Sequence, residues 1–281
     1  ITIEGCRFWL APLPAPENGF PAGTVAGENA VDTKVFVGST PRLTIRDTIA
    51  YGFRAGLIGN MAAYNLKESV DVTLDRVTIY DSEIALRLRG PATVTVTNAV
   101  IYDVDTAVRY EDNIVAPKIY SSTLGADVTQ PFQAASSSAT VIDGKNVLVL
   151  AASLPAQLSA TSGSLAVQPT AFIDAANHDY HLAASSPAID QGVTVAVDSD
   201  RDGVVRPQGG GHDVGAYERC EGACPQVPDA GPVGGGGDGD SGGTDPGGCC
   251  SADRSAAAYP ALAVIALFGM WPRRRRRNAL P

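Results

Sequence analysis

Val72-Thr73-Leu74-Asp75-Arg76-Val77-Thr78-Ile79-Tyr80-Asp81 aligns with Val94-Thr95-Val96-Thr97-Asn98-Ala99-Val100-Ile101-Tyr102-Asp103, 22 positions further on. The second half of the unit keeps the same offset, because Ala85-Leu86-Arg87-Leu88 falls on Ala107-Val108-Arg109-Tyr110. One unit earlier, Leu43-Thr44-Ile45-Arg46-Asp47-Thr48-Ile49-Ala50-Tyr51-Gly52 precedes the first copy by 29 positions and is followed by Gly56-Leu57-Ile58-Gly59. The longer offset places an insertion around Asn60–Ser69. Lys118 to Gly125, and then Val141-Ile142 with Val147 to Leu150, continue the series in weaker form.

Each unit holds two or three short runs of alternating β-branched and polar residues, divided by turn residues, with no helix-length pattern between them. A period near 22 is too short for a propeller blade and lacks a leucine-rich signature. It fits one coil of a parallel β-helix, in which each strand pairs with its counterpart one coil away at about 4.8 Å. Inward positions would then form apolar ladders: Ile45/Leu74/Val96/Ile119, Ala50/Ile79/Ile101/Leu124 and Leu57/Leu86/Val108. An antiparallel sandwich would not demand the same residue class at the same place in successive units. The expected fold class is all-β, with coils over 35–171. Residues 1–34 are rich in Pro, Gly and Ala and read as an irregular segment, with short strands at Ile1–Ile3 and Cys6–Leu10.

The formal charge is −9 even though five consecutive arginines, Arg273, Arg274, Arg275, Arg276 and Arg277, sit near the C-terminus. The rest of the chain is more acidic still, which argues against nucleic acid as a partner. The chain starts at Ile1 without an export signal and is expected to be a mature form or a fragment. Of the five cysteines, Cys220 and Cys224 lie close enough in a loop to form a disulfide in an oxidising compartment. Residues 220–248 are Gly, Pro and Asp with almost nothing apolar, so a flexible spacer is expected there.

Residues 172–219 carry four ordered motifs: Tyr180-His181-Leu182, Ser186-Pro187-Ala188-Ile189-Asp190-Gln191-Gly192, Asp200-Arg201-Asp202-Gly203-Val204-Val205-Arg206-Pro207, and Asp213-Val214-Gly215-Ala216-Tyr217-Glu218. Their order resembles the closing module of bacterial surface proteins of the choice-of-anchor Q type. That resemblance implies a right-handed parallel β-helix before the module and a surface anchor after it. It implies location and architecture, and no particular chemistry.

Residues 249–281 place Gly248-Cys249-Cys250 before the apolar run Ala256–Trp271 and the arginine block. An apolar run is favourable in hydrocarbon and a block of Arg is not, so a transmembrane helix with the chain end in the cytoplasm is expected. The tripartite order resembles the MYXO-CTERM sorting tails of myxobacterial surface proteins. By that resemblance Cys249 or Cys250 marks the place where a membrane-embedded sorting protease acts. The implied location is the outer surface of a Gram-negative, myxobacterial-type cell, the alternative being a retained membrane anchor.

Three constellations carry chemistry. Asp198, Asp200 and Asp202 alternate before Gly203, a pattern that wraps oxygens round Ca2+, but the twelfth position of such a loop is Gly209 where a bidentate Glu is needed. Asp213 or Glu218 would have to complete the shell; otherwise the stretch is an acidic turn held by its own side chains, with Arg206 pairing to an Asp. Asp81 and Asp103, one coil apart, have the spacing of a retaining glycosidase pair or are solvent-facing turn residues. Arg87 and Arg109 stack outward and, with Lys118, suit the carboxylates of an acidic polysaccharide, or else they bridge to Glu83, Asp105 or Glu111. His178, His181 and His212 all lie in the closing module; His178 and His181 share a short stretch and would serve as ligands, or else all three are surface and packing residues. The function expected is a surface-displayed structural or glycan-binding protein, the rival being an extracellular polysaccharide lyase or glycoside hydrolase.

Overall fold

A computed structural model describes residues 1–135 and 141–226 of the chain. Strands in parallel register dominate it, and the helical pieces among the described residues are three short 3-10 turns. The strands follow one another coil by coil. The first coil holds β1 (Thr2–Glu4), β2 (Arg7–Trp9) and β3 (Val31–Asp32). The second holds β4 (Arg42–Arg46), β5 (Ile49–Phe53) and β6 (Ala62–Leu66). The third holds β7 (Asp71–Asp75) and the long β8 (Thr78–Arg89). Then come β9 (Thr93–Thr97), β10 (Val100–Ile101) and β11 (Val104–Glu111). The next coil has β12 (Lys118–Tyr120), β13 (Thr123–Leu124) and β14 (Val128–Ala134). Last are β15 (Asp143–Lys145), β16 (Leu148–Leu150) and β17 (Leu165–Val167).

Three faces result. The first is β1-β4-β7-β9-β12-β15; the second runs β2-β5-β8-β10-β13-β16-β17; the third runs β3-β6-β8-β11-β14, and β8 serves both of the last two. Every pairing among these strands is parallel. Alternation along each strand sends one side chain in and the next out, so a rung register fixes what stacks inside. Ile3, Ile45, Leu74, Val96 and Ile119 form one buried ladder, as the repeat predicts. Ala50, Ile79, Ile101, Leu124 and Val149 form the second.

The third ladder differs from expectation. Leu57 is 61% exposed, and the residue opposite Leu86 is Tyr64. Val31, Tyr64, Leu86, Val108 and Phe132 share this ladder. The insertion therefore lies between β5 and β6, at 54–61, not at Asn60–Ser69. Gly56-Leu57-Ile58-Gly59 imitated the pattern of a strand but belongs to that loop. Residues 1–34 are also corrected. The short strands expected at Ile1–Ile3 and Cys6–Leu10 are present as β1 and β2, the unexpected β3 completes the coil, each pairs to the coil below, and the irregular part is the stretch between β2 and β3.

A turn residue with positive φ recurs once per coil between the first and second faces: Gly5, Asp47, Arg76, Asn98, Ser121 and Asn146. Gly, Asp and Asn tolerate this left-handed region best, which explains why the repeat keeps a polar residue there. Arg76 is held in it by Asp47, whose carboxylate accepts from Nε at 2.7 Å and Nη2 at 2.9 Å.

Residues 172–219 pack sideways on the second face. β18 (Phe172–Asp174) and β19 (Asp179–Leu182) pair antiparallel. Their Phe172, Tyr180 and Leu182, with Ala188, Val214 and Ala216, bury the outward side of Val100, Tyr102 and Leu148. Gly125 is required at this seam, since a Cβ there would lie 2.2 Å from the Tyr180 ring. The backbone hooks are specific: Ala216 N donates to Thr123 Oγ1 at 2.9 Å, and Asn98 Nδ2 donates to Ser199 O at 3.0 Å. Cys220 and Cys224 are joined in a disulfide, as expected. Among the described residues no helix is long and apolar enough to cross a membrane. Cys249, Cys250, the apolar run and Arg273–Arg277 lie outside the described residues, as does most of the expected spacer.

Candidate binding faces

The arginine ladder sits on the third face. Asn65, Arg87, Arg109 and Gln133 occupy one outward rung series. Arg87 Nε donates to Glu111 Oε1, and Arg89 Nε lies 3.6 Å from the same oxygen and 2.8 Å from Asp112 Oδ2. Arg109 donates to the Asn60 side-chain oxygen and lies 4.0 Å from Glu111. Glu111 thus neutralises a cluster of arginines that would otherwise repel one another. Glu83 caps the insertion loop instead, accepting from Asn60 N at 2.9 Å and Met61 N at 3.1 Å. Lys118 does not join the arginines: it is exposed on the first face, on the rung of Thr95 and Asp143.

Asp81 and Asp103 do lie together, at the turn after the second face. Both have φ of 46°, so each is also a left-handed turn residue. Arg54, at the start of the insertion loop, reaches between them, with Nε 3.0 Å from Asp81 Oδ1 and Nη2 3.2 Å from Asp103 Oδ1. The same Nη2 donates to Asp103 O at 2.6 Å. Burial pushes the Asp81 carboxyl up, Arg54 acts against it, and the Asp103 charge adds to it.

The closing module's acids are engaged within the module. Asp200 is buried; its Oδ1 accepts from Asp202 N at 2.8 Å and Val204 N at 2.7 Å, and its Oδ2 from Glu218 N at 2.8 Å. Asp202 turns away to His181, with Oδ2 2.7 Å from Nε2. Asp198, Asp200 and Asp202 therefore do not converge, and among the described residues no three His, Cys, Asp or Glu side chains gather as a metal site. Arg206 pairs with Glu218, not with an Asp; the contact is 2.8 Å and both side chains are fully buried. Burial pushes Glu218 up and Arg206 down, while their mutual attraction works against both shifts. Asp213 accepts from Asp190 N and Arg219 N. Asp190, Asp200, Asp213 and Glu218 thus tie three of the four motifs together by satisfying backbone amides.

The histidines have distinct places. His178 stacks on Tyr102 with ring centroids 4.2 Å apart. His181 lies between Asp179 and Asp202 and against Tyr217. Burial lowers its pKa, but the hydrogen bonds to Asp202 and Asp179 outweigh that and lift it to about 9. His212 is buried, and burial and then Arg206 lower its pKa.

In the first four coils the residue before the second-face turn is aromatic, and the rings stack outward: Trp9 on Tyr51 at 6.3 Å, Tyr51 on Tyr80 at 4.9 Å and Tyr80 on Tyr102 at 5.1 Å; Gly125 and Leu150 hold that position in the next two. The two tyrosine stacks are each within 3° of parallel. The signal was the recurrence of Tyr51, Tyr80 and Tyr102 at one place in the unit. Comparison with family models, with curated proteins and with solved structures gives no match to this chain.

Proposed function

We propose that the chain is an exported, surface-displayed right-handed parallel β-helix whose long faces bind glycan or another envelope component without cleaving it. Right-handedness is what parallel crossover connections almost always adopt. The observation that carries the non-catalytic part is the Arg54 bridge, which ties Asp81 and Asp103 to one cation and to the backbone of the same turn. Display rests on sequence. The motif order in 172–219 supports a choice-of-anchor Q-type module, and Gly248-Cys249-Cys250, the apolar run and Arg273–Arg277 support a MYXO-CTERM-type tail handled by a membrane-embedded protease. The acidic Gly/Pro stretch between them would hold the coils off the membrane.

An extracellular lyase or hydrolase is the second reading, and the Asp81–Asp103 pair favours it, since such chemistry uses two neighbouring carboxyls and burial pushes the Asp81 carboxyl up. One assay separates the two. The full chain is incubated with acidic and neutral polysaccharides, and new reducing or unsaturated ends are measured beside the bound fraction. Binding without new ends is expected; new ends that vanish in Asp81→Asn would establish the enzyme. Display is tested by Cys249→Ala and Cys250→Ala, which are expected to leave the fold intact and misplace the protein. Unchanged processing in both variants would leave only a plain anchor.

A further inference from the structure

We infer that the Cys220–Cys224 disulfide is a redox-sensitive latch: its reduction frees 220–226 from the closing module, opens that turn to proteolysis and leaves the rest of the module folded. The inference does not depend on glycan binding. The spacer expected from 220 onward begins as ordered chain. Past the buried Glu218 the backbone turns through Gly222, at a φ of 85° that glycine adopts without strain, and returns antiparallel beside Val204. Val204 bridges Gln226, and Val205 N donates to Pro225 O at 2.9 Å. Val205 also bridges Ser199, so 225–226 forms the outer edge of a small antiparallel patch.

The disulfide is the main restraint on this edge. Glu221, Gly222, Ala223, Pro225 and Gln226 are exposed, and 220–226 adds no side chain to either hydrophobic core. A disulfide between residues four apart closes a loop too short to take much entropy from the unfolded chain, so it adds little to the stability of the whole module. Its effect is local: it fixes the turn that brings Pro225 to Val205. The module itself is held elsewhere, by the buried Arg206–Glu218 pair and by Val214 N and Ala216 N, which donate to Ala188 O and Thr123 Oγ1. Opening the disulfide therefore releases a low-stability edge and spares the rest. The reductant is a dithiol. Its first thiolate attacks one cysteine sulfur, the other cysteine leaves, and a mixed disulfide forms. Its second thiolate then displaces the first cysteine; the dithiol becomes its own disulfide, and its two protons end on the Cys220 and Cys224 thiols. The result is a gate. The Glu221 side chain is 79% exposed, and a cut after it leaves the chain in one piece while the disulfide stands. Once the disulfide is reduced, the same cut parts the coils from Cys249, Cys250 and the arginine block.

The test follows amide exchange in the full chain with and without dithiothreitol, and cutting by a Glu-specific protease read by mass spectrometry. In the parent, reduction is expected to speed exchange at Val205 N by about tenfold or more, and the cut after Glu221 by a similar factor, with Val214 and Ala216 unchanged. The double variant Cys220→Ser/Cys224→Ser should match the reduced parent with or without dithiothreitol, which assigns the response to this bond and to no other cysteine. Val205 exchange that ignores reduction would overturn the latch, since hydrogen bonds alone would then hold the edge. Acceleration at Val214 and Ala216 alongside Val205 would overturn it too, and make the disulfide a staple of the whole module. So would a double variant that still responds to dithiothreitol.

Discussion

Replacing Glu218 by Gln removes one charge from a pair that has no access to water. In the parent, Arg206 Nη1 donates to Glu218 Oε2 at 2.8 Å and to Asp213 O at 3.2 Å, and Nη2 donates to Gly215 O at 2.9 Å. Glu218 also accepts from Gln208 N at 2.7 Å and Asp213 N at 3.1 Å. The variant leaves a guanidinium buried beside a neutral amide, and the new NH2 faces a donor. Breaking a buried pair costs about 3–5 kcal/mol, mainly through the charge left behind. For a structure of this size that corresponds to a fall in Tm of roughly 6–20 °C. Glu4→Gln is the internal control. It breaks an Arg46–Glu4 pair of 2.9 Å whose side chains are 39% and 34% exposed, and should cost less than about 1 kcal/mol. Urea unfolding of the full chain followed by circular dichroism measures both. A Glu218→Gln loss below about 1 kcal/mol, or one equal to that of Glu4→Gln, would refute the claim that the motif acids hold the closing module together.

Tyr64→Phe should cost about 1 kcal/mol in the same assay, because it leaves the buried Thr48 hydroxyl without its 2.8 Å partner; no loss would place the two groups in water. Leu86→Ala should cost about 2–5 kcal/mol and Leu57→Ala less than about 0.5 kcal/mol, and the reverse order would restore Leu57 to the ladder. Gly125→Ala forces a Cβ against the Tyr180 ring and should loosen the seam, seen as faster amide exchange at Ala126, whose N–H bonds Tyr180 Oη. The His181 pKa is raised in the folded state, so its contribution is complete below the unfolded value of about 6.5 and disappears as pH rises through about 9. His181→Asn should therefore flatten the stability profile between those limits, and an unchanged slope would assign the effect to another group.

The coil pattern was legible because period-two alternation and a fixed offset act together: Leu74 and Val96 could not both point inward unless their strands stacked. Where one of those signals failed, so did the reading. Gly56-Leu57-Ile58-Gly59 copies the composition of a strand, and only the register of Tyr64 with Leu86 shows that the loop was displaced. The third strand of the first coil was hidden because 21 residues, 10–30, separate β2 from β3 and break the offset. At the candidate sites, sequence put Asp81 beside Asp103 and Arg87 beside Arg109, since register alone decides those neighbours. It did not disclose Arg54, which reaches both acids from an insertion, or the turning of Asp202 to His181. Those contacts depend on loop paths that no repeat encodes. The aromatic ladder was encoded, and is recognisable once the residue before each turn is known to face outward.

The function proposed for the coils is to hold a glycan and leave it whole. The full chain, mixed with each acidic or neutral polysaccharide and sampled over time, gives bound fraction and newly formed ends from the same tube. A saturable bound fraction with no new ends is the predicted result. Ends that accumulate with time in the parent and are absent in Asp81→Asn would contradict it.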